Sequence, residues 1–152
     1  LYFSPLGSQS DAQLLAHFNR LTGGAKLQPV GLPIEGRVIP ARGEWEDIAW
    51  FEFTSICEGP RSQQDYIVLA KEYHTVLVSG VPLLGATNDD AARRFVYLVD
   101  EFYDRGVKLI LSAQASIASL YSGGKLTFEF SRTQSRLLEM QSEAYLASPH
   151  KP

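Results

Sequence analysis

The stretch Thr75–Leu111, TVLVSGVPLLGATNDDAARRFVYLVDEFYDRGVKLIL, decides the fold. It opens on Thr75-Val76-Leu77-Val78, an apolar, β-branched run that reads as a short buried strand over 75–79. Val81-Pro82-Leu83-Leu84-Gly85 interrupts it as an apolar loop. Asn88 then offers a helix N-cap, and Asp89 and Asp90 place negative charge in the first turn, where the helix dipole favours it. Ala91, Phe95, Leu98, Val99, Phe102 and Tyr103 recur at helical spacing. Arg105 stands in the last turn and Gly106 is the C′ residue. Val107-Lys108-Leu109-Ile110-Leu111 begins a second strand. Strand, helix and strand in this order form a βαβ unit, expected to be parallel with a right-handed crossover.

Working outward, residues 1–24 read as a lead-in helix and 25–55 as antiparallel strands. In the first, Ser10 is the predicted N-cap, Leu14, Leu15, Phe18 and Leu21 form the stripe of a helix over 11–21, and Gly23-Gly24 stops it. In the second, strands are predicted near 26–30, 35–39 and 48–53. There Trp50, Glu52 and Thr54 alternate with Phe51 and Phe53, which predicts one wetter face. Residues 56–148 continue the helix and strand alternation. Ser62 caps a helix from Gln63 to Glu72 with Tyr66, Leu69, Ala70 and Tyr73 inside. A short helix is predicted from Ser116 to Tyr121, a strand over Leu126–Phe130 and a final helix from Arg132 to Ala147. The fold class is therefore α/β (mixed with α+β), a βαβ crossover with flanking helices and a small antiparallel region, in one domain of 152 residues.

Composition sets the outer limits. With 45% hydrophobic and 20% charged residues the chain has the mix of a globular domain. Its net charge is −3, from 14 basic and 17 acidic side chains, which argues against general nucleic-acid binding. The single cysteine, Cys57, excludes an intrachain disulfide framework and reads as a small buried apolar residue. No apolar run reaches the ~20 residues of a membrane span. The chain does not begin with Met, so a processed, tagged or fragment sequence is expected.

Four features invite a chemical reading. Val96-Tyr97-Leu98-Val99-Asp100-Glu101 resembles a Walker B box, whose acids support Mg²⁺ and activate water at the end of a strand. Its flanks place it inside a helix, and no G-x-x-x-x-G-K-[ST] phosphate loop occurs in the chain. Asp100 and Asp104 are then surface acids, with Asp100 spaced to pair with the turn of Asp104 or with Arg93 and Arg94. Gly123-Gly124-Lys125 is a glycine turn rather than a phosphate cradle. His74, at the start of a strand, is either a general base or a half-buried histidine hydrogen-bonded at the strand edge, with no second histidine at ligand spacing. Arg132 and Arg136 share one face at the start of the last helix, an arrangement that can sense a phosphate or bridge to Glu129 or Glu139.

Several blocks carry a family resemblance. They are Pro60-Arg61-Ser62-Gln63-Gln64-Asp65-Tyr66, Tyr73-His74-Thr75-Val76, Ala92-Arg93-Arg94-Phe95, Leu98-Val99-Asp100-Glu101-Phe102-Tyr103-Asp104-Arg105, Val107-Lys108-Leu109 with Ser112-Ala113, and Phe128-Glu129-Phe130-Ser131-Arg132-Thr133 through Gln141-Ser142. In order, across 50–146, they resemble the C-terminal third of the ZapE family, bacterial cell-division ATPases related to the mitochondrial AFG-type ATPases of the AAA+ class. The opening Tyr2–Leu6 fits too. The resemblance implies that the P-loop and Walker B motifs precede this region, so ATP and Mg²⁺ belong to the parent and none is expected on this chain alone. It implies a cytoplasmic ATPase at the division site acting on the FtsZ ring, and the N-terminal ATPase domain, division-ring proteins or a second copy as partners. Arg132 and Arg136 become candidates for nucleotide sensing, and His74, Arg93, Arg94, Asp100, Asp104 and Arg105 for partner or interdomain contacts. Two other readings stand beside it. One is a stand-alone protein-binding module docking through Trp45, Trp50, Phe51 and Phe53; the other is a small enzyme in which His74 meets Asp100 or Asp104.

Overall fold

A computed structural model describes residues 1–152. The elements in chain order are β1 (Tyr2–Phe3), α1 (Ser8–Thr22), β2 (Val30–Ile34), β3 (Arg37–Ala41), β4 (Gly43–Trp45), β5 (Ile48–Glu52), α2 (Phe53–Cys57), α3 (Gln63–Glu72), β6 (Thr75–Val81), α4 (Asp89–Asp104), β7 (Lys108–Ala113), α5 (Thr127–Glu139) and α6 (Glu143–Ala147). Single 3₁₀ turns lie at Ala86–Asn88 and Ile117–Ser119.

The βαβ unit is present: β6 and β7 are adjacent and parallel, with Thr75 opposite Lys108 and Val78 opposite Leu111. They occupy the middle of a five-stranded sheet ordered β1-β7-β6-β5-β4, in which only β4 runs antiparallel to its neighbour. Helices cover both faces. Against one face pack α2, α3, α4 and α5, over a core that holds Phe51, Tyr66, Val78, Phe95, Phe102 and Phe130. Against the other packs α1, whose Leu14 and Phe18 close over Ile48, Trp50, Leu77 and Ile110.

This three-layer arrangement corrects the reading of residues 25–55. Only β2, β3 and β4 belong to antiparallel pairs alone, while β5 joins the parallel sheet beside β6. A parallel strand between two helical layers has no wet face, so Trp50 and Phe51 are both fully buried, on opposite sides. Phe53 starts α2 instead of ending the strand. Val30–Ile34 and Arg37–Ala41 form a hairpin whose turn residues Glu35 and Gly36 both have positive φ, the geometry of a primed two-residue turn.

Other boundaries move for similar reasons. The start of the chain is a strand: Leu111 donates its amide to the Leu1 carbonyl at 2.9 Å, and Tyr2 lies opposite Leu111. In α1 Ser10 is inside the helix, its hydroxyl donating to the Gly7 carbonyl, and Leu15 and Leu21 face solvent, leaving Leu14 and Phe18 as the buried stripe. The predicted strand 126–130 is the first turn of α5, where Leu126, Phe130, Thr133 and Leu137 are buried at helical spacing and Phe128 is 84% exposed. The predicted final helix breaks after Glu139, and Ser142 caps α6 by accepting the Tyr145 amide at 3.1 Å. The segment Ser116–Tyr121 holds only a 3₁₀ turn. No helix is long and apolar enough to cross a membrane.

Candidate functional site

Phe130 stacks on Phe95 at 6.2 Å and thereby lays α5 along α4. That contact brings Arg132 and Arg136, one turn apart on α5, to Asp100 on α4. Arg132 Nη2 donates to Asp100 Oδ2 at 3.1 Å, and Arg136 Nη1 donates to Asp100 Oδ1. The Arg136 guanidinium also lies over the Tyr103 ring at 4.8 Å, a cation–π contact. Tyr103 in turn donates to Glu139 Oε2 at 2.7 Å, which raises the pKa of its hydroxyl. Asp100 is therefore shared between two guanidiniums, and Arg132 is half exposed at 52%. The expected pairing of Asp100 with Arg93, Arg94 or the turn of Asp104 does not form. Arg94 donates instead to the Cys57 carbonyl at 3.4 Å, Arg93 and Asp104 are exposed without an ion pair, and the Arg105 carbonyl accepts the Lys151 amide at 2.7 Å. Helical spacing proposes neighbours on one helix; the packing of two helices supplied the stronger partners.

His74 lies elsewhere, at the amino edge of the sheet. Its Nδ1 is 2.8 Å from Thr75 Oγ1, and the ring of His150 stands edge-on to it at 5.9 Å. Burial lowers the His74 pKa; Asp47 opposes the shift, and Lys108 and His150 add to it. His150 donates from Nε2 to the Ala70 carbonyl at 2.6 Å. The second histidine absent from the local sequence thus arrives from the far end of the chain. Neither Asp100 nor Asp104 is a charged neighbour of His74, and Asp100 commits both oxygens to α5, so the constellation of a small enzyme does not assemble. The docking surface expected from Trp50, Phe51 and Phe53 is likewise core, with only Trp45 partly exposed.

Two polar groups escaped the sequence reading. Lys108 is buried in β7, and its ammonium donates to the carbonyls of Gly106, Tyr145 and Ser148 at 3.0, 2.9 and 2.8 Å and to Ser148 Oγ at 3.2 Å. It ties the segment after α6 to the sheet, while desolvation lowers its pKa. A lone lysine inside Val107–Leu111 is the available signal for it. At the carboxyl ends of the parallel strands, where α/β folds place ligand sites, Ser79 Oγ accepts from Trp50 Nε1 at 2.6 Å and from Arg42 Nη1 at 3.3 Å. Arg42 lies over the Trp50 indole at 4.1 Å and pairs with Glu52 at 3.5 Å. Arg42 thereby closes this network.

The groups present do not fit Mg²⁺–ATP. Val96–Glu101 lies within α4, so Asp100 and Glu101 do not emerge from a strand end. Gly123 and Gly124 have positive φ, and a Cβ at Gly124 would meet Tyr121 Oη at 2.7 Å. No three His, Cys, Asp or Glu side chains cluster to hold a metal ion. Burial pushes the Cys57 thiol up to about 12, which removes it as a nucleophile near neutrality.

Comparison with known proteins supplies the family. The chain is 41% identical over 150 residues to the cell division protein ZapE of Escherichia coli K12, covering 99% of this chain and 40% of that protein. It is 31% identical over 153 residues to lactation elevated protein 1 homolog B of Danio rerio, covering 80% of this chain and 30% of that protein. The chain thus spans less than half the length of these relatives. No solved structure matches it. The AFG1-like ATPase family profile matches residues 1–149, and with this match over nearly its whole length the chain belongs to the AFG1-like ATPase family.

Proposed function

We propose that this chain is the C-terminal domain of a ZapE-like cell-division ATPase, and that it couples ATP hydrolysis in a preceding P-loop domain to partner or oligomer contacts. The observation that carries the reading is family membership over residues 1–149 in a chain with no phosphate loop. Mg²⁺–ATP is then the substrate of the longer protein, held outside this domain, and the site of action is the cytoplasmic face of the bacterial division ring, with FtsZ or its associates as partners. The Asp100–Arg132–Arg136 cluster supports the coupling part. Asp100 shared by two guanidiniums leaves Arg132 half exposed on the helix face, where a phosphate or a partner carboxylate can compete for it.

The test is ATP turnover by this chain, by a version extended through the P-loop region, and by the extended protein carrying Arg132→Ala or Arg136→Ala. Turnover by the extended protein alone, reduced by either substitution with the fold intact, supports the reading. Robust turnover by the short chain overturns the domain assignment. Unchanged turnover in both variants removes the arginines from nucleotide sensing.

A further inference from the structure

We propose that Tyr145 is a positioning residue for Arg136, so that the seating of α6 against the sheet sets the geometry of the Asp100 cluster. The proposal deepens the nucleotide-coupling reading and, for its effect on turnover, rests on it. The Arg136 guanidinium lies over the Tyr103 ring at 4.8 Å. Tyr103 stacks on Tyr145, with ring centroids 5.9 Å apart and planes 11° from parallel. The Lys108 ammonium lies over the Tyr145 ring at 4.6 Å. A buried cation of β7 is thereby connected, through two aromatic rings, to an arginine on the outer side of α5.

Each member of this path is fixed from a different element. Lys108 donates to the carbonyls of Tyr145 and Ser148, which ties α6 and the residue after it to β7. The Tyr145 hydroxyl lies 2.7 Å from the Val107 carbonyl and 3.2 Å from the Phe102 carbonyl, so it donates into the turn between α4 and β7. Tyr103, half-buried on α4, has its hydroxyl held by Glu139 on α5, and the Tyr145 ring settles its plane. With only five residues, α6 is too short to persist as a helix by itself. Its position therefore depends on these side-chain contacts.

The two arginines of α5 differ in what holds them. Arg132 reaches one oxygen of Asp100 at 3.1 Å, and its side chain is the more exposed of the two. A single surface carboxylate barely offsets the rotamer entropy of an arginine, so Arg132 is free to leave for an incoming anion. Arg136 has the other oxygen of Asp100 and a ring face as well. The ring attracts the cation where water or salt competes for the carboxylate, and it restricts the orientation of the guanidinium. Without the Tyr145 ring, Tyr103 turns about its own side-chain bonds, and Arg136 returns to the condition of Arg132.

The test compares Tyr145→Leu with Tyr145→Phe, which keeps the ring and loses only the hydroxyl contacts. NMR spectra of the arginine side chains in the full chain are expected to show the Arg136 Nε–H signal displaced by the Tyr103 ring current. That displacement is expected to persist in Tyr145→Phe and to vanish in Tyr145→Leu, where the signal joins that of Arg132. Tyr103→Leu, at a half-buried position, cuts the same path closer to the arginine and takes the place of Tyr145→Leu should circular dichroism show that variant unfolded. In the protein extended through the P-loop region, Tyr145→Leu is expected to lower kcat for ATP about fivefold or more. Tyr145→Phe is expected to restore it to within about twofold of the parent. Adding Tyr145→Leu to Arg136→Ala is expected to cost nothing more, because the ring acts through that arginine. An unmoved Arg136 signal in the leucine variants, the same loss in Tyr145→Phe, or a kcat effect that simply adds to that of Arg136→Ala overturns the proposal. If Arg136→Ala itself leaves turnover unchanged, the nucleotide-coupling reading falls, and the NMR comparison alone decides whether Tyr145 positions Arg136.

Discussion

Asp65 and Asp100 each face arginine, and their surroundings make them different instruments. Asp65 is fully buried at the start of α3. Its Oδ2 accepts the Ser62 amide at 2.7 Å, the Ser62 hydroxyl at 3.3 Å and Arg37 Nη1 at 3.2 Å. One carboxylate thereby caps α3 and fastens the β2–β3 hairpin to it, where the helix dipole adds to its stabilisation. Its Oδ1 is the one buried side-chain polar atom with no partner. Asp100 also receives guanidinium donors, yet it is 20% exposed and lies on the surface between α4 and α5. Water competes for it and salt screens it, so its pairs are exchangeable. The lesson is that an Arg–Asp pair becomes framework when desolvation penalises every alternative, and stays available for partners when it does not.

Several experiments break or sharpen that contrast. Asp65→Ala removes a helix cap and a charged partner together, and thermal or urea unfolding is expected to show a loss of about 2–4 kcal/mol. A loss equal to that of a surface pair would break the contrast. Alkaline pH tests the same buried region. The folded Cys57 thiol lies near 12 against an ordinary value of 9.0, so the folded state keeps its proton where the unfolded chain has lost it. The stability it contributes is full below about 9 and is lost as pH rises through about 12, on the order of 1–2 kcal/mol by mid-range. Urea midpoints across that range are expected to fall less steeply in Cys57→Ala. Asp100→Ala is expected to cost about 1 kcal/mol or less, with the loss shrinking at high salt. Arg93→Ala, which breaks no ion pair, is expected to stay within about 0.5 kcal/mol of the parent.

Much of this was legible in the chain. Thr75–Leu111 declares its βαβ unit because each signal agrees: β-branched runs, acids in the first helical turn, a period of 3.6 and a closing glycine, whose φ is +69° at Gly106. The capping role of Ser62 and the buried character of Cys57 follow from neighbours within a few residues. Leu126–Phe130 misled because five residues of alternating polarity fit a strand as well as the first turn of an amphipathic helix, and only the continuation to Leu137 separates them. Trp50–Phe51 misled in another way, since a strand covered on both faces carries no alternation to read.

The candidate site was less legible than the fold. The residues Arg132, Arg136 and Asp100 were each identifiable, but their union rests on Phe130 stacking on Phe95, a contact between elements more than thirty positions apart. His74 meeting His150, and Lys108 gathering the carbonyls around α6, depend on the same kind of long-range closure. The sequence by itself determined the βαβ unit over 75–111, the helix over 63–72 and the family, because these are properties of short windows with agreeing signals and of ordered motifs. Tertiary structure alone decided which charges meet, which are buried and which stay free, because desolvation and pairing depend on what packs across the sheet.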